Sequence, residues 1–344
     1  MTKQELLRIT TKVGAVLLML TCLALYSFLL RPNILVGKPS QQLHIPHGTS
    51  LKHLQATLQQ EGYLAHGTSF RLVAYLLRYD PKVRPGAYQL QPNMSNWAVI
   101  RLLRAGLQQP VKIVLHHIRD KAELTAKITQ NLAIKPNAFK KLLDDPTFLK
   151  QYGFQPDNVL TMFIPNTYEV YWTISPERLF EKMYQEYRRF WHERRVSQAQ
   201  RLKLTPIEIS ILASIVQNET FQLEEAPIIA GVFINRLKKR IPLQSDVTVW
   251  HALGDTSVKR ILHKDTKVDS SYNTYKYRGL PPGPLNVPEI IMIDAVLNFM
   301  KHDYLYFCGK EDLSGYTYFS KTFKEHLKYA KRYQATLNRA GIYR

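Results

Sequence analysis

An α+β fold behind a single N-terminal membrane-spanning helix is what the sequence predicts, and three observations carry it. An eighteen-residue uncharged apolar run lies near the N-terminus, from Val13 to Leu30. Short period-two segments and helical-period segments alternate between 42 and 103, punctuated by Gly and Pro. From 205 onward, long helical patterns dominate without the regular strand–helix alternation of a parallel α/β sheet. At 344 residues, with 45% apolar content and only 15 glycines, the chain can bury several cores, which excludes a disordered or fibrous protein.

As a helix, Val13–Leu30 is about 27 Å long, close to the hydrocarbon thickness of a bilayer. It exceeds the apolar core of a usual signal peptide. Phe28-Leu29-Leu30-Arg31 lacks a small-residue cleavage pattern, and the run continues past Cys22 too far for a lipid-modification site there. Lys3, Arg8 and Lys12 precede the run, while Arg31 and Lys38 follow it, which favours the N-terminus inside and the remainder outside. That topology redirects the charge. The chain carries 47 Lys+Arg against 27 Asp+Glu, a net +20. The first thirty residues hold three basic and one acidic side chain, so +18 falls on the exported part. Nucleic acid is thereby excluded as a partner in favour of anionic lipid headgroups or an acidic wall polymer. Two cysteines, Cys22 and Cys308, allow neither a disulfide framework nor a cysteine-rich zinc site, and no metal or cofactor is expected.

After a polar linker from Pro32 to Gln42, residues to 90 read as strand, helix, helix, strand. Gly48-Thr49-Ser50 caps a helix bearing Leu51, Leu54 and Leu58, which Gly62 ends. A second Gly-Thr-Ser at 67–69 opens a helix with Phe70, Val73, Ala74 and Leu77 on its apolar face. Pro85-Gly86 turns into a strand over 87–90, and Trp97 to Leu103 is a third helix. Between 110 and 200 the pattern predicts a strand VKIVLHHI, helices over Ala122–Leu132 and Phe139–Leu143, and a basic amphipathic stretch from Glu177 to Arg195. On a strand, His116 and His117 would face opposite sides, so a structural role is expected. The aromatic FIPNTYEVYW (163–172) suits either sugar stacking or packing, and packing is favoured. Organisation follows as a tail and anchor over 1–35, a small module over 36–110, an intermediate subdomain over 111–200 and a main domain over 201–344.

Signatures of nucleotide binding, serine hydrolases, zinc proteases and redox dithiols are absent. The informative segment is TPIEISILASIVQNET (205–220), where Thr205-Pro206-Ile207-Glu208 forms a capping box ahead of a helix of about fourteen residues. At 100° per residue, Glu219 falls in line with Leu212, Ile215 and Val216, so a carboxylate ends the apolar stripe. Burial and the negative end of the helix dipole both disfavour its anion, as a general acid requires. A salt-bridged or capping glutamate reaching solvent is the alternative. Asn235 and Arg236 follow on a second helix. Gln244, Asp246 and Thr248 then alternate on a Pro-led strand or turn, and Tyr272, Asn273 and Thr274 precede a stiff Gly-Pro loop. Amides, a carboxylate and tyrosines suit a polyhydroxylated ligand.

In these segments the chain resembles the endolytic murein transglycosylases of the MltG (YceG-like) family. IPHGTS, RPGAYQL, FIPNTY, ILASIVQNET, GVFINRL, LQSDVTV, YNTY and GLPPGP occur in the family order. The resemblance implies a LysM-like module near the membrane and a mixed α+β catalytic domain. It implies a peptidoglycan glycan strand as substrate, cut at MurNAc-β-1,4-GlcNAc linkages to leave 1,6-anhydro-MurNAc ends, and cell-wall synthases as neighbours. It assigns the catalytic acid to Glu219 and leaves Asp246 as a helper. Asn235, Gln244, Thr248, Tyr272 and Asn273 stand as supporting or binding residues. Two positions depart from the family pattern: Gln217 replaces a glutamate, and Tyr316 stands where histidine is more frequent. By the helical wheel Gln217 lies about 160° from Glu219, so its change should leave the acid in place. A peptidoglycan-binding scaffold without activity is the competing reading. Cys308, in the apolar YLYFC strand, is expected only to pack.

Overall fold

The computed structural model describes every residue except 1–2, 38–39, 80, 82, 256–257, 259 and 343–344, so Lys38 lies outside the described residues. Its elements form a mixed α+β protein with one N-terminal apolar helix long enough to cross a membrane, Arg8–Leu30. In chain order they are α1 (Lys3–Leu25), β1 (Gln41–Ile45), α2 (Leu51–Gln60), α3 (Gly67–Leu76), β2 (Gly86–Leu90), α4 (Asn96–Ala105) and β3 (Val111–Leu115). There follow α5 (Lys121–Thr129), α6 (Pro136–Asp144), α7 (Pro146–Lys150), β4 (Asn166–Val170), α8 (Pro176–Phe190), α9 (Glu193–Arg201) and α10 (Pro206–Glu219). The last are α11 (Ala226–Lys238), α12 (Asp246–Leu253), α13 (Ile290–Leu297), β5 (Tyr306–Gly309), β6 (Thr317–Ser320) and α14 (Phe323–Arg339). The described strands pair only in twos, β1 with β2, β3 with β4 and β5 with β6. The chain divides into two compact units, one of residues 1–112, 131–133 and 169–174, the other of the remainder.

In the first unit, β1 and β2 run antiparallel with Gln41 opposite Leu90 and Ile45 opposite Gly86. Their buried face joins Leu54 and Leu58 of α2, Phe70 and Val73 of α3, and Ile100 and Leu103 of α4 in one core. Only the first Gly-Thr-Ser acts as a cap: the Ser50 hydroxyl accepts from the His53 amide at 3.2 Å. The second is already helical, because α3 begins at Gly67, and Ser69 instead donates back to the His66 carbonyl at 2.9 Å. Past α1 the membrane helix closes with a wider π-type turn over Tyr26–Leu30, marked by the Arg31 amide bonding the Tyr26 carbonyl.

In the second unit, the basic stretch predicted as one piece from 177 to 195 is two helices, α8 and α9, broken at Trp191-His192. β3 stops at Leu115, so the histidines are not strand residues. His117 adopts φ 51°, and both rings approach the Glu289 carboxylate, at 3.5 Å from His116 and 3.6 Å from His117. The expectation that they face opposite ways is thereby corrected: a left-handed residue after the strand turns them to one partner. Of the aromatic 163–172 stretch, Phe163, Ile164, Tyr168 and Val170 are buried and Tyr171 is exposed.

The main core is built around α10, against which α11 and α13 pack. Every residue from Ile209 to Val216 is buried, so α10 is enclosed on all sides and the apolar stripe read from sequence understates its burial. Its two serines are enclosed at no polar cost: Ser210 donates to the Pro206 carbonyl, and Ser214 donates to the Ile211 carbonyl while accepting from the Leu285 amide. The predicted capping box is present, with Thr205 accepting from the Glu208 amide and the Glu208 carboxylate accepting in return. Because α10 has no open side into which neighbours could relax, Leu212→Ala should cost about 2–5 kcal/mol. Denaturant unfolding of the detergent-solubilised chain checks this.

Candidate functional site

Glu219 is the last residue of α10, where the enclosed helix meets the surface. Its side chain is half-buried, and the Ser245 hydroxyl donates to its Oε1. The carboxyl is pushed up from 4.5 to about 7. Burial is the main cause, the Ser245 hydrogen bond opposes it, and the negative charge of Asp246 raises it further. The sequence argument named burial and the helix dipole; the structure adds an adjacent carboxylate as a source of the rise.

The element that presents Ser245 and Asp246 differs from expectation. Residues 244–248 do not alternate as a strand, because α12 starts at Asp246. Two residues apart on a helix, Asp246 and Thr248 turn away from each other: Asp246 is exposed and Thr248 fully buried. Gln244, just before, takes φ 50°, a conformation that L side chains rarely adopt. It is held there from both ends, since its amide donates to the Thr274 carbonyl at 3.1 Å and its side-chain oxygen accepts from the Arg236 guanidinium.

Thr248 and Thr274 form a clasp under Ser245. Thr248 gives its hydroxyl proton to the Ser245 carbonyl at 2.7 Å, so Thr274 is the donor in the 2.8 Å hydroxyl pair between them. The Ser245 amide in turn donates to the Thr274 hydroxyl at 3.1 Å. Two threonine side chains thus fix the backbone of the serine that meets Glu219.

The next tyrosine in the same segment, Tyr275, donates to Asp246 Oδ1 at 2.5 Å. The structure therefore gathers Glu219, Asp246, Gln244 and Thr248 around Ser245, and places the other candidates one layer away. Asn273 is fully buried and binds the Thr266 and Val268 carbonyls. Asn235 ties α11 to the carbonyls of His302 and Tyr304. Tyr272 packs at 4.5 Å against the His251 ring. Behind it Gly283 of the Gly-Pro loop lies so close to the Asp157 carbonyl oxygen that a Cβ would come within 1.8 Å. Among the described residues, no group of three or more His, Cys, Asp or Glu is placed to hold a metal ion.

Three residues went unremarked in the sequence. Ser245 lies between the alternate positions 244, 246 and 248, so the alternation passes over it. Tyr275 stood one place past the residues singled out. Phe221, two residues beyond Glu219, is 99% exposed, and no sequence pattern distinguishes an exposed phenylalanine from a buried one. Its loop is anchored on both sides. The Thr220 hydroxyl accepts from the Gln222 amide, Gln222 reaches the Ser314 carbonyl, and Glu224 accepts from the Tyr316 hydroxyl at 2.8 Å. The two departures also find places: Tyr316 holds this loop, and Gln217 accepts from the Glu289 amide at 2.7 Å, at the start of α13.

A desolvated carboxyl held by a neutral hydroxyl beside a second carboxylate is a group that can both give and take a proton near neutral pH. Comparison with known proteins makes the class particular. The chain belongs to the YceG-like family, whose model matches residues 43–332. It is 29% identical over 328 residues to an endolytic murein transglycosylase of Bacillus subtilis (strain 168), covering 90% of this chain and 89% of that protein. A second protein of that name, from Streptococcus pneumoniae serotype 2 (strain D39), is 27% identical over 312 residues, 82% of this chain and 56% of its own length. Among solved structures, a yceG-like protein from Listeria monocytogenes superposes with a TM-score of 0.53 at 28% identity, covering 85% of this chain and 99% of that one.

The raised carboxyl has a stability signature. Below pH 4.5 Glu219 is protonated folded or unfolded and contributes nothing; as pH rises from 4.5 through about 7 the unfolded chain ionises first, and stability falls. Above pH 7 the loss is constant. Glu219→Gln should therefore match the wild type near pH 4 and exceed it near pH 8 by up to about 3 kcal/mol, as read from thermal or denaturant midpoints at the two pH values.

Proposed function

We propose that the protein is a membrane-anchored endolytic lytic transglycosylase of peptidoglycan, and that Glu219 alone serves as its acid and base. The observation that carries this is the Glu219 carboxyl, raised to about 7 by burial and by Asp246, and therefore divided about evenly between acid and base forms at neutral pH. Hydrolysing glycosidases use two carboxyl groups, one of them to activate water or attack carbon. An attack by the substrate's own C6 hydroxyl needs only one group acting twice.

Glu219 gives its proton to the glycosidic oxygen as the bond from C1 of MurNAc breaks, and the GlcNAc side leaves as an alcohol. Asp246, its charge oriented by Tyr275, stabilises the positive charge developing at C1. The Glu219 carboxylate then takes the proton from the C6 hydroxyl as that oxygen bonds C1. The carboxyl ends protonated, the product carries a 1,6-anhydro ring, and no water is consumed. Ser245 keeps the carboxyl in place through both transfers. Phe221 stacks on a sugar ring beside the scissile bond, where an exposed apolar ring on a tethered loop finds the CH face of a pyranose.

The apolar helix anchors the chain in the cytoplasmic membrane with the residues that follow it outside. The 36–110 module acts as a LysM-like partner for glycan, and residues from 201 carry the chemistry. Cutting within strands by a membrane-anchored chain suits termination of nascent glycan beside the synthases.

Incubating sacculi with the purified chain and resolving the products by mass spectrometry tests the proposal. Anhydro-ended fragments are expected from the wild type, none from Glu219→Gln, and nearly normal amounts from Gln217→Glu. Reducing-end products would establish hydrolysis and overturn it, and no products from the wild type would leave a scaffold. Because the reaction needs protonated Glu219, turnover should fall as pH rises through about 7. Asp246→Asn removes a charge that raises the carboxyl and should move that fall to lower pH, whereas Ser245→Ala removes a bond that lowers it and should move it higher. Phe221→Ala should raise KM about tenfold with kcat little changed, since a stacked ring is worth roughly 1.5 kcal/mol of burial.

A further inference from the structure

The first unit carries an apolar face that its own fold leaves open. α3 carries apolar residues on two opposite sides, with Arg71 between them. One side, Phe70, Val73 and Ala74, enters the core. Leu72, Tyr75 and Leu76, spaced i, i+3, i+4 on the opposite side, are 44%, 76% and 59% exposed.

That face starts where the membrane helix ends. The buried Asn96 amide donates both to the Phe28 carbonyl at 2.9 Å and to the Ser69 hydroxyl of α3 at 3.1 Å. Leu29 packs against the core of the unit, and the closing turn of the membrane helix contacts both α3 and α4. The end of the span is thus locked to the first turn of α3, with Leu72 only about 5 Å further along that helix. Trp97, beside Asn96, is 36% exposed, and Tyr26 and Phe28 are exposed on the closing turn, a set of aromatics at the depth where bilayers gather them. Charge agrees. Residues 31–110 hold nine Lys and Arg against two Asp and Glu, and Arg31, Arg71, Arg78 and Arg101 are exposed.

We infer that the Leu72–Tyr75–Leu76 face of α3, with Trp97, is a membrane-docking surface that lies in the headgroup layer of the bilayer the N-terminal helix crosses, its arginines meeting anionic lipid phosphates. The inference rests on the membrane-anchor reading. It makes the small unit a foot flat on the membrane and not a bead on a tether.

The test uses the full chain with Cys22 and Cys308 replaced and a single environment-sensitive fluorophore at Tyr75→Cys or, separately, Leu76→Cys, reconstituted into phosphatidylcholine vesicles with or without phosphatidylglycerol. Flotation first reads the anchor: a chain that does not float with the vesicles fails both the anchor and the docking surface. For a chain that floats, shallow nitroxide-labelled lipid is expected to quench either label at least about twofold, iodide in the buffer to be shielded from it, and both effects to grow with phosphatidylglycerol. A label that stays open to iodide and unquenched by lipid overturns the docking surface while leaving the anchor standing. Shielding that follows protein density in place of lipid composition would show a second copy on this face, and shielding only after added glycan strands would show a glycan surface; either overturns it.

Discussion

Everything at the candidate site depends on the enclosure of α10. A helix buried on all sides from Ile209 to Val216 can emerge from the core only at its ends, and Glu219 is the side chain standing at the C-terminal exit. The carboxyl is therefore desolvated by the same packing that holds the unit together, and that burial is the main source of its raised pKa, to which Asp246 adds. What the surroundings must then avoid is neutralising that effect. A cation beside Glu219 would pull the carboxyl back into the ordinary range. The buried cation in this part of the fold, Arg236, is spent on three neutral acceptors, the carbonyls of Pro242 and Leu305 and the side chain of Gln244. Glu219 receives a serine hydroxyl instead, which orients it while opposing the rise less than a full charge would.

The clasp beneath Ser245 follows from the same requirement. A hydroxyl that must sit at one place against a half-buried carboxyl has to be fixed by its backbone, because serine has only one side-chain torsion to offer. The two threonines fix that backbone with hydrogen bonds to both its amide and its carbonyl, and the left-handed Gln244 turns the chain so that the amide points inward. Strain at Gln244 is held by the Arg236 bond on one side and the Thr274 bond on the other, so the backbone conformation and the spending of the cation serve one arrangement.

How much of this was legible in the sequence depends on the range of the physics involved. α10 and its capping box are local, and the place of Glu219 at the end of the apolar stripe follows from periodicity because one helix carries both the carboxyl and the apolar residues that bury it; its role as an acid was read from the resemblance. Ser245 was not found, because reading 244–248 as alternating assumed the strand period, and the start of a helix at Asp246 is set by the non-local clasp to Thr274. The histidine pair was misread for a related reason: one positive φ at His117 undoes the two-sided alternation, and nothing in the local sequence demands it. Phe221 marks the limit of pattern reading, since exposure is decided by what the rest of the chain fails to cover.

The small unit shows the opposite balance between apolar and polar interior. Its core is ordinary, yet it buries two asparagines, Asn33 and Asn96, in contact at 2.6 Å. Buried amides are costly unless every bond is made, and these make theirs: Asn33 exchanges bonds with both backbone groups of His66, and Asn96 reaches Ser69 and the Phe28 carbonyl. Apolar side chains would fill the same volume with less demand on geometry, but they would let the end of the membrane helix rotate against α3 and α4. A directional bond to the Phe28 carbonyl, near the end of that helix, opposes the rotation. A flexible tether gains nothing from such bonds. They make sense where the orientation of the unit about the end of the helix matters, as it does for a unit with an open apolar face on the helix that those bonds hold.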